Sequence, residues 1–440
     1  MGWHQCRWGY QTVNETATVV DNYNKNNLPL DVMWNDIDYM WEYYDWTNDP
    51  TRYPTNDYKA FIKNLHDNGK HYMMIEDCGV AKQTSLPDGK PYYPWINGLL
   101  QEIWISSPHT GGAFVGKVWP GEAAWVDYFR PNATNYWVDE FIKFHENIEF
   151  DGIWLDMNEP SNFCNGECGQ SECSYPLPYI PGGVDINSKT TDLLAFHYPD
   201  TLDGACNPTG NHIMFNTHSL FGYMEAKATT GVFEKLGKRT FIISRSTFAT
   251  GGRYNSHWLG DNYSTWEFLG YSIAGILDFQ MFGFPMVGAD ICGFNDNTTE
   301  ELCLRWMQLG TLYPFSRNHN TIHATSQEPY AFSSAMTAAS EQAIRIRYSL
   351  INYMYTLMFN ASLSGSGMIW KATLFAYPYD TNLHEVHASD NFMIGDALLV
   401  HPCLAKGALV VNGYFPADQW YDFYTGELLT TNENYAILSA

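Results

Sequence analysis

No stretch of the chain approaches ~18 uninterrupted apolar residues, so no segment has the length to cross a bilayer as a helix. Positive charge is scarce: 24 Lys and Arg stand against 48 Asp and Glu, a net charge of −24. That balance repels nucleic acid and anionic membranes and suits a neutral substrate. The N-terminus, Met1-Gly2-Trp3-His4-Gln5-Cys6, lacks a basic n-region and an apolar h-region, so it does not read as a signal peptide. Cys164, Cys168 and Cys173 lack a nearby His and a second tight pair, which speaks against a zinc finger. Disulfides within an insertion loop account for them better. Nothing here implies a metal or an organic cofactor.

What is present points to a secreted globular protein. At 440 residues the chain is long enough for more than one domain, although one α/β barrel with insertions absorbs most of that length. Aromatic residues reach 16%, a supply of flat rings that serve as core and as platforms for sugars. Cys6, Cys78, Cys164, Cys168, Cys173, Cys206, Cys292, Cys303 and Cys403 make an odd set of nine. Asn-x-Ser/Thr sequons stand at Asn14, Asn132, Asn262, Asn297 and Asn360. Cysteines and sequons together favour the secretory pathway, lysosomal or vacuolar or extracellular. Asn262 reads as a chance match, since it adjoins a candidate catalytic residue.

The chain is organised around Asp151-Gly152-Ile153-Trp154-Leu155-Asp156-Met157-Asn158-Glu159-Pro160-Ser161-Asn162-Phe163. A short apolar run suited to a buried strand stops at Asp156, and in a barrel of parallel strands that end is where catalytic side chains gather. Short strands ending in polar clusters recur: Trp3 to Tyr10, Leu30 to Asp38, His71 to Asp77, this stretch, Thr240 to Ser246, His257 to Asp261, Pro285 to Asp290, and Leu312 to Asn318. Helical segments lie between them, notably Leu220 to Leu236, Ser264 to Met281 and Ser333 to Phe359. The alternation predicts an α/β fold, a (β/α)8 TIM barrel over residues 1–364. A loop-rich insertion, roughly residues 80–135, follows the third strand, and residues 164–210 read as an irregular excursion. Short strands after Gly365-Ser366-Gly367 predict part of a β-domain over residues 365–440.

The run Asp-Met-Asn-Glu-Pro-Ser-Asn-Phe resembles the nucleophile signature of the retaining α-glucosidases of glycoside hydrolase family 31. The α-xylosidase branch carries Phe-Gly-Glu after the same Asp. The resemblance covers nearly the whole chain and implies a catalytic barrel with a C-terminal β-domain, normally preceded by a β-sandwich. That N-terminal domain is absent from this sequence. The expected activity is release of terminal, non-reducing, 1,4-linked α-glucose from an α-glucoside oligosaccharide. By motif, Asp156 matches the family nucleophile and Asp261 its acid/base. Asp36, Arg245, Asp290 and His319 match residues that hold the glucosyl unit. Trp119, Trp154, Met157, Phe163, Trp258 and Phe294 match the pocket lining, as does Ile75. Cys292 and Cys303 match a pair bridged in lysosomal and intestinal relatives. Two stretches depart: Asp77-Cys78-Gly79 replaces Asp-Pro-Ala, and Trp370-Lys371-Ala372-Thr373-Leu374-Phe375 lacks Arg-Pro before Leu-Phe.

Each candidate has a plainer role to set beside the catalytic one. Asp36 suits a strand-end cap, Arg245 a surface ion pair, His319 a buried bonded histidine, and Asp261 a cap for the helix at Ser264. Trp154, inside its strand, suits simple core packing. The rival activities are a related transglucosylase, an α-glucan lyase or an α-xylosidase. From another class, the rival is an inactive carbohydrate-binding fragment.

Overall fold

The computed structural model describes residues 1–173, 186–365, 367–384, 391–430 and 434–439. Two compact units are present, one of Trp8–Val20 and Asp31–His257, the other of Met1–Arg7, Asp21–Leu30 and Trp258–Ala440.

The first unit is a run of parallel strands. Val32–Asn35, His71–Asp77, Gly152–Asp156 and Ile242–Ser244 lie side by side in that order. Their residues are buried on both faces, which is why they read as continuous apolar runs and not as alternating ones. Helices Thr55–Asp67, Ala133–His145 and Phe221–Leu236 alternate with them. Trp137 Nε1 donates to Thr229 Oγ1 at 2.9 Å, fastening the second of these helices to the third. Register fixes the chemistry that follows: Asp77 is the lateral partner of Asp156, and Leu155 is the partner of Ser244. Side chains at matching positions of neighbouring strands share a face, so Asp77, Asp156 and the residue after Ser244, Arg245, come out together.

The insertion after the third strand is less irregular than its composition predicts. Gly79–Ala81, Gly121–Trp125 and Gly116–Val118 form a three-stranded antiparallel sheet, and Tyr93–Leu100 is a helix with Pro94 in its first turn. These strands have at most five residues and carry Gly and Ala, too short and too plain for period-2 patterning to register. Within the 164–210 excursion, residues 174–185 lie outside the described residues. The rest is stapled by Cys164–Cys168 and Cys173–Cys206.

In the second unit, His4–Gln5 pairs in parallel with Arg317–Asn318, which pairs with Asp290–Ile291. Helices Trp266–Met281, Glu300–Gly310 and Ser334–Ser364 belong here. Buried Arg347, on the longest helix, donates to the carbonyls of Met1, Thr311, Tyr313 and Pro314, so one guanidinium ties three chain segments. Strands Trp370–Lys371, Phe392–Ile394 and Leu398–Val400 form one antiparallel sheet, and Val410–Phe415 pairs with Asn434–Ser439. Met393, Phe415 and Trp420 pack at the centre of this β-region.

Several expected strands are shorter than predicted: Leu30 to Asp38 reduces to Val32–Asn35 and Thr240 to Ser246 to Ile242–Ser244. Trp3 to Tyr10 reduces to His4–Gln5, with Gly9 in a φ of +130°. Pro285 to Asp290 splits into Val287–Gly288 and Asp290–Ile291. Leu312 to Asn318 reduces to Arg317–Asn318, because Leu312 and Tyr313 still donate back to Leu309 and Gly310 and Pro314 has no N–H to offer a ladder.

Candidate active site

In the first unit the strand ends converge on Asp156. Its Oδ1 lies 2.9 Å from Arg245 Nη1 and accepts from Met157 N at 2.8 Å. The same guanidinium grips Glu159 with two bonds, Nε to Oε1 at 2.8 Å and Nη2 to Oε2 at 3.0 Å. One planar cation thus holds both carboxylates, an arrangement suited to a fixed fork of donors. Although burial pushes Glu159 up, its bonds to Arg245 hold it below the usual carboxylate range. Arg245 is therefore no surface pair: its side chain keeps only 19% exposure and organises the acids around it.

Asp77 sits beside Asp156 and is 3% exposed. Burial, followed by the charges of Asp156 and Asp36, pushes its carboxyl well above the usual range. Its Oδ1 is buried and makes no hydrogen bond among the described residues. Asp36 does serve as a cap, accepting from Ile37 N at 2.7 Å at the start of a short 3-10 turn, and lies within the electrostatic reach of Asp77. Cys78, at the departure from the family pattern, is a fully buried thiol that donates to the Met157 carbonyl at 3.1 Å.

The aromatic candidates of this unit divide. Trp154 is 2% exposed and meets Trp34 edge to face at 5.7 Å, the packing role expected of a residue inside a strand. Ile75 is buried at the register position beside it. Trp119 and Phe163 stand edge to face at 4.9 Å, with Phe163 36% exposed, so this pair presents ring surface to solvent. Met157 is buried, and its sulfur lies 3.2 Å from Arg245 Nη2.

The second unit carries the remaining candidates. The sixth strand is Ser256–Trp258, not His257 to Asp261, so Asp261 lies on the loop beyond it, exposed, with Gly260 at φ +70° turning the chain. Asp261 is not the helix cap: Thr265 accepts from Phe268 N in that role. Asn262 positions the loop instead, donating to the Asp290 carbonyl at 2.9 Å and accepting from Phe294 N at 2.9 Å. With its amide engaged and 6% exposed, Asn262 is a chance sequon. Asp290 is fully buried against Arg317, Oδ1 to Nη2 2.7 Å, and that guanidinium lies over the ring of Trp258 at 5.2 Å. His319 stacks obliquely on Phe294 at 4.9 Å. Burial, then the Arg317 charge, holds its imidazole well below its ordinary value, so it is neutral. Cys292 and Cys303 are bridged, joining the Asp290–Ile291 strand end to helix Glu300–Gly310.

The fold also brings His109 within 3.7 Å of Cys173 Sγ, a neighbour that the local sequence does not offer. Cys173 is bridged to Cys206, and a disulfide sulfur is no thiolate ligand, so this group does not make a zinc site.

Residues 1–357 match the glycosyl hydrolases family 31 TIM-barrel domain, and residues 366–439 match the glycosyl hydrolase family 31 C-terminal domain. The chain belongs to glycosyl hydrolase family 31. The α-glucosidase of Hordeum vulgare is 41% identical over 426 residues, 96% of this chain and 46% of that protein. The lysosomal α-glucosidase of Rattus norvegicus is 41% identical over 433 residues, 96% of this chain and 43% of that protein. Among solved structures, the glucosidase II alpha subunit superposes over 100% of this chain and 44% of its own, with a TM-score of 0.86 and 30% identity. The chain thus spans a little under half the length of these relatives. The α/β TIM barrel expected from the sequence is the fold of the family 31 domain. Among the described residues, no helix is long and apolar enough to cross a membrane.

Sequence reasoning about this family 31 chain passed over four polar residues that the structure makes prominent: Asp77, Asn158, Glu159 and Arg317. Asp77 and Arg317 each fall at a strand end, so the rule that selected Asp156 would have found them. Glu159 and Asn158 stand in the signature run without a periodic signal; their bonds to Arg245 and to Ser246 show what they hold.

Proposed function

We propose that the chain carries the catalytic domain of a retaining exo-α-glucosidase, removing terminal, non-reducing, 1,4-linked glucose from malto-oligosaccharides. Retention requires two carboxyl groups about 5–5.5 Å apart, one a nucleophile and one a proton donor. Asp156 attacks the anomeric carbon, forming a glycosyl ester as the bond to the leaving oxygen breaks. Asp261 gives that oxygen its proton. It then takes a proton from water, whose oxygen displaces Asp156 and releases α-glucose. The observation that carries this reading is the Arg245 fork, which holds Asp156 at the end of its strand in a chain about 40% identical to named α-glucosidases. Asp36, Asp77, Asp290 and His319 would take the glucose hydroxyls, and Trp119 with Phe163 would stack on its apolar face. The three disulfides and the relatives' identities support a route through the secretory pathway, ending in a lysosome-like compartment or outside the cell.

The test is release of p-nitrophenol from its α-glucoside across a pH series, by the unaltered chain and by Asp156→Ala. Turnover that disappears in the variant, with α-glucose as the first-formed anomer, supports the reading. Turnover of the α-xyloside alone would overturn the substrate, and β-glucose as the first product would overturn retention. A folded chain that binds maltose and releases nothing would favour the carbohydrate-binding reading.

A further inference from the structure

Glu225 lies on helix Phe221–Leu236, is completely buried, and has no part in the mechanism above. Its Oε2 accepts from Asn158 Nδ2 at 2.7 Å, and its Oε1 accepts from the Tyr128 hydroxyl at 3.2 Å. Asn158, two positions after Asp156, is also completely buried. Its Nδ2 donates a second bond to Ser244 Oγ at 2.7 Å, and its Oδ1 accepts from Ser246 N at 2.8 Å. Ser244 Oγ in turn donates to the Ser246 carbonyl at 2.6 Å. Ser244 and Ser246 flank Arg245, so one amide joins the loop of the nucleophile to the strand end of its guanidinium partner, and Glu225 anchors that amide from behind.

Two independent features show how closely this anchor is built. A Cβ on Gly222, one turn before Glu225, would come within 2.6 Å of the Ser246 carbonyl and 2.9 Å of the Asn158 carbonyl, so the helix bears directly on both segments. Met157, between the nucleophile and Asn158, holds a φ of +57°. A non-glycine residue stays in that region only where its surroundings over-determine it.

We propose that Glu225 is a positioning residue for the nucleophile, acting through Asn158 to keep Asp156 and Arg245 in one fixed relation. The inference rests on the assignment of Asp156 given above. Its physical basis is that a buried donor and acceptor pair with every bond satisfied has one arrangement, whereas a loop lacking such an anchor has several. The groups that face Glu225 are Tyr128, Asn158, Cys78, Asp45, Glu159 and Asp156. Burial, together with the Glu159 and Asp156 charges, raises Glu225 to about 8.

The experiment compares Glu225→Gln and Glu225→Leu in the full chain. Gln keeps an acceptor for Asn158 and a neutral head; Leu keeps the volume and loses the bonds. In E225L, kcat is expected to fall on the order of 100-fold with KM within about twofold, the scale of a misplaced reacting group. In E225Q it falls no more than about threefold, and the loss of kcat at alkaline pH moves upward, because the ionising group is gone. Hydrogen exchange of the amides of residues 157–162 is read on the same samples. It accelerates in E225L and stays unchanged in E225Q, with the rest of the unit unaffected in both. Unaltered kcat in E225L, equal damage in both variants, or exchange accelerated throughout the unit would each overturn the proposal. Absence of turnover in the unaltered chain would sink the assignment of function, and the exchange comparison would then decide the anchoring role alone. Should E225L fail to fold, the rate and pH profile of E225Q decide it.

Discussion

Arg245 bonds three atoms that no other cation can reach in the same geometry: one oxygen of Asp156 and both of Glu159. A lysine offers a single compact charge and cannot reproduce that fork. Arg245→Lys is therefore expected to lower kcat/KM by about 100-fold or more, whereas Glu159→Gln, which keeps one acceptor, costs less. Steady-state kinetics on the same α-glucoside tests the order of the two; equal losses would show that the bidentate grip is unimportant. At Asn262 the side-chain amide is bound to the Asp290 carbonyl and cannot carry a glycan in the folded chain. Peptide mapping after expression in a secretory host should find glycans confined to the exposed sequons Asn14, Asn132, Asn297 and Asn360. Occupancy at Asn262 would contradict the loop geometry around Asp261.

The short strand ends are held by their neighbours more than by their own ladders. Asp290–Ile291 has two residues, and what fixes the turn after it is the Cys292–Cys303 bridge to helix Glu300–Gly310 together with Asn262. Removing the bridge with Cys292→Ala and Cys303→Ala frees a loop of sequence separation 11. The expected loss is about 2–4 kcal/mol of stability, read as a lower urea midpoint. Because Phe294 and His319 depend on that turn, KM should rise as well. Thr265 caps helix Trp266–Met281 through Phe268 N, and Thr265→Ala should cost about 1 kcal/mol without changing KM. A KM change there would mean that the helix start, and not the bridge, sets the loop.

For the molecule as a whole, buried acids couple stability to pH. Burial raises Glu76 and Glu225 from 4.5 to about 8. Between those values the folded state binds more protons than the unfolded one, so stability falls as pH rises. His257 and His401 work in the opposite sense: burial depresses both from 6.5 to about 4, so the stability they contribute is lost as pH falls toward 4. Well above 6.5 these histidines are neutral in both states, and the groups whose values are raised set the trend. His71, raised by its bond to Asp151, adds to the same trend. The net charge of −24 adds self-repulsion as pH rises. The melting temperature is thus expected to fall between pH 6.5 and 8, by several degrees, and Glu76→Gln should flatten that slope. A melting temperature that is level or rising across the interval would show that these carboxyls are already ionised.

The strand–helix alternation and the long helices were legible in the sequence because each rests on local physics. His71–Asp77 and Gly152–Asp156 are long enough for an apolar run to declare itself, and Phe221–Leu236 and Ser334–Ser364 carry helical periodicity. The family signature after Asp156 pointed to glycoside chemistry without any coordinates. Other features needed the fold. The three-stranded sheet of the insertion, the split of the seventh strand at Ala289 and the place of Asp261 beyond its strand depend on partners distant in the chain. So does the relation of Asn158 to Glu225, 67 positions apart, and of Arg245 to Glu159, 86 apart. Local sequence specifies which residues a backbone can present, because propensity and burial act over a few residues. Which carboxyl keeps its proton and which meets a guanidinium is set by register and packing, and only the tertiary structure supplies those.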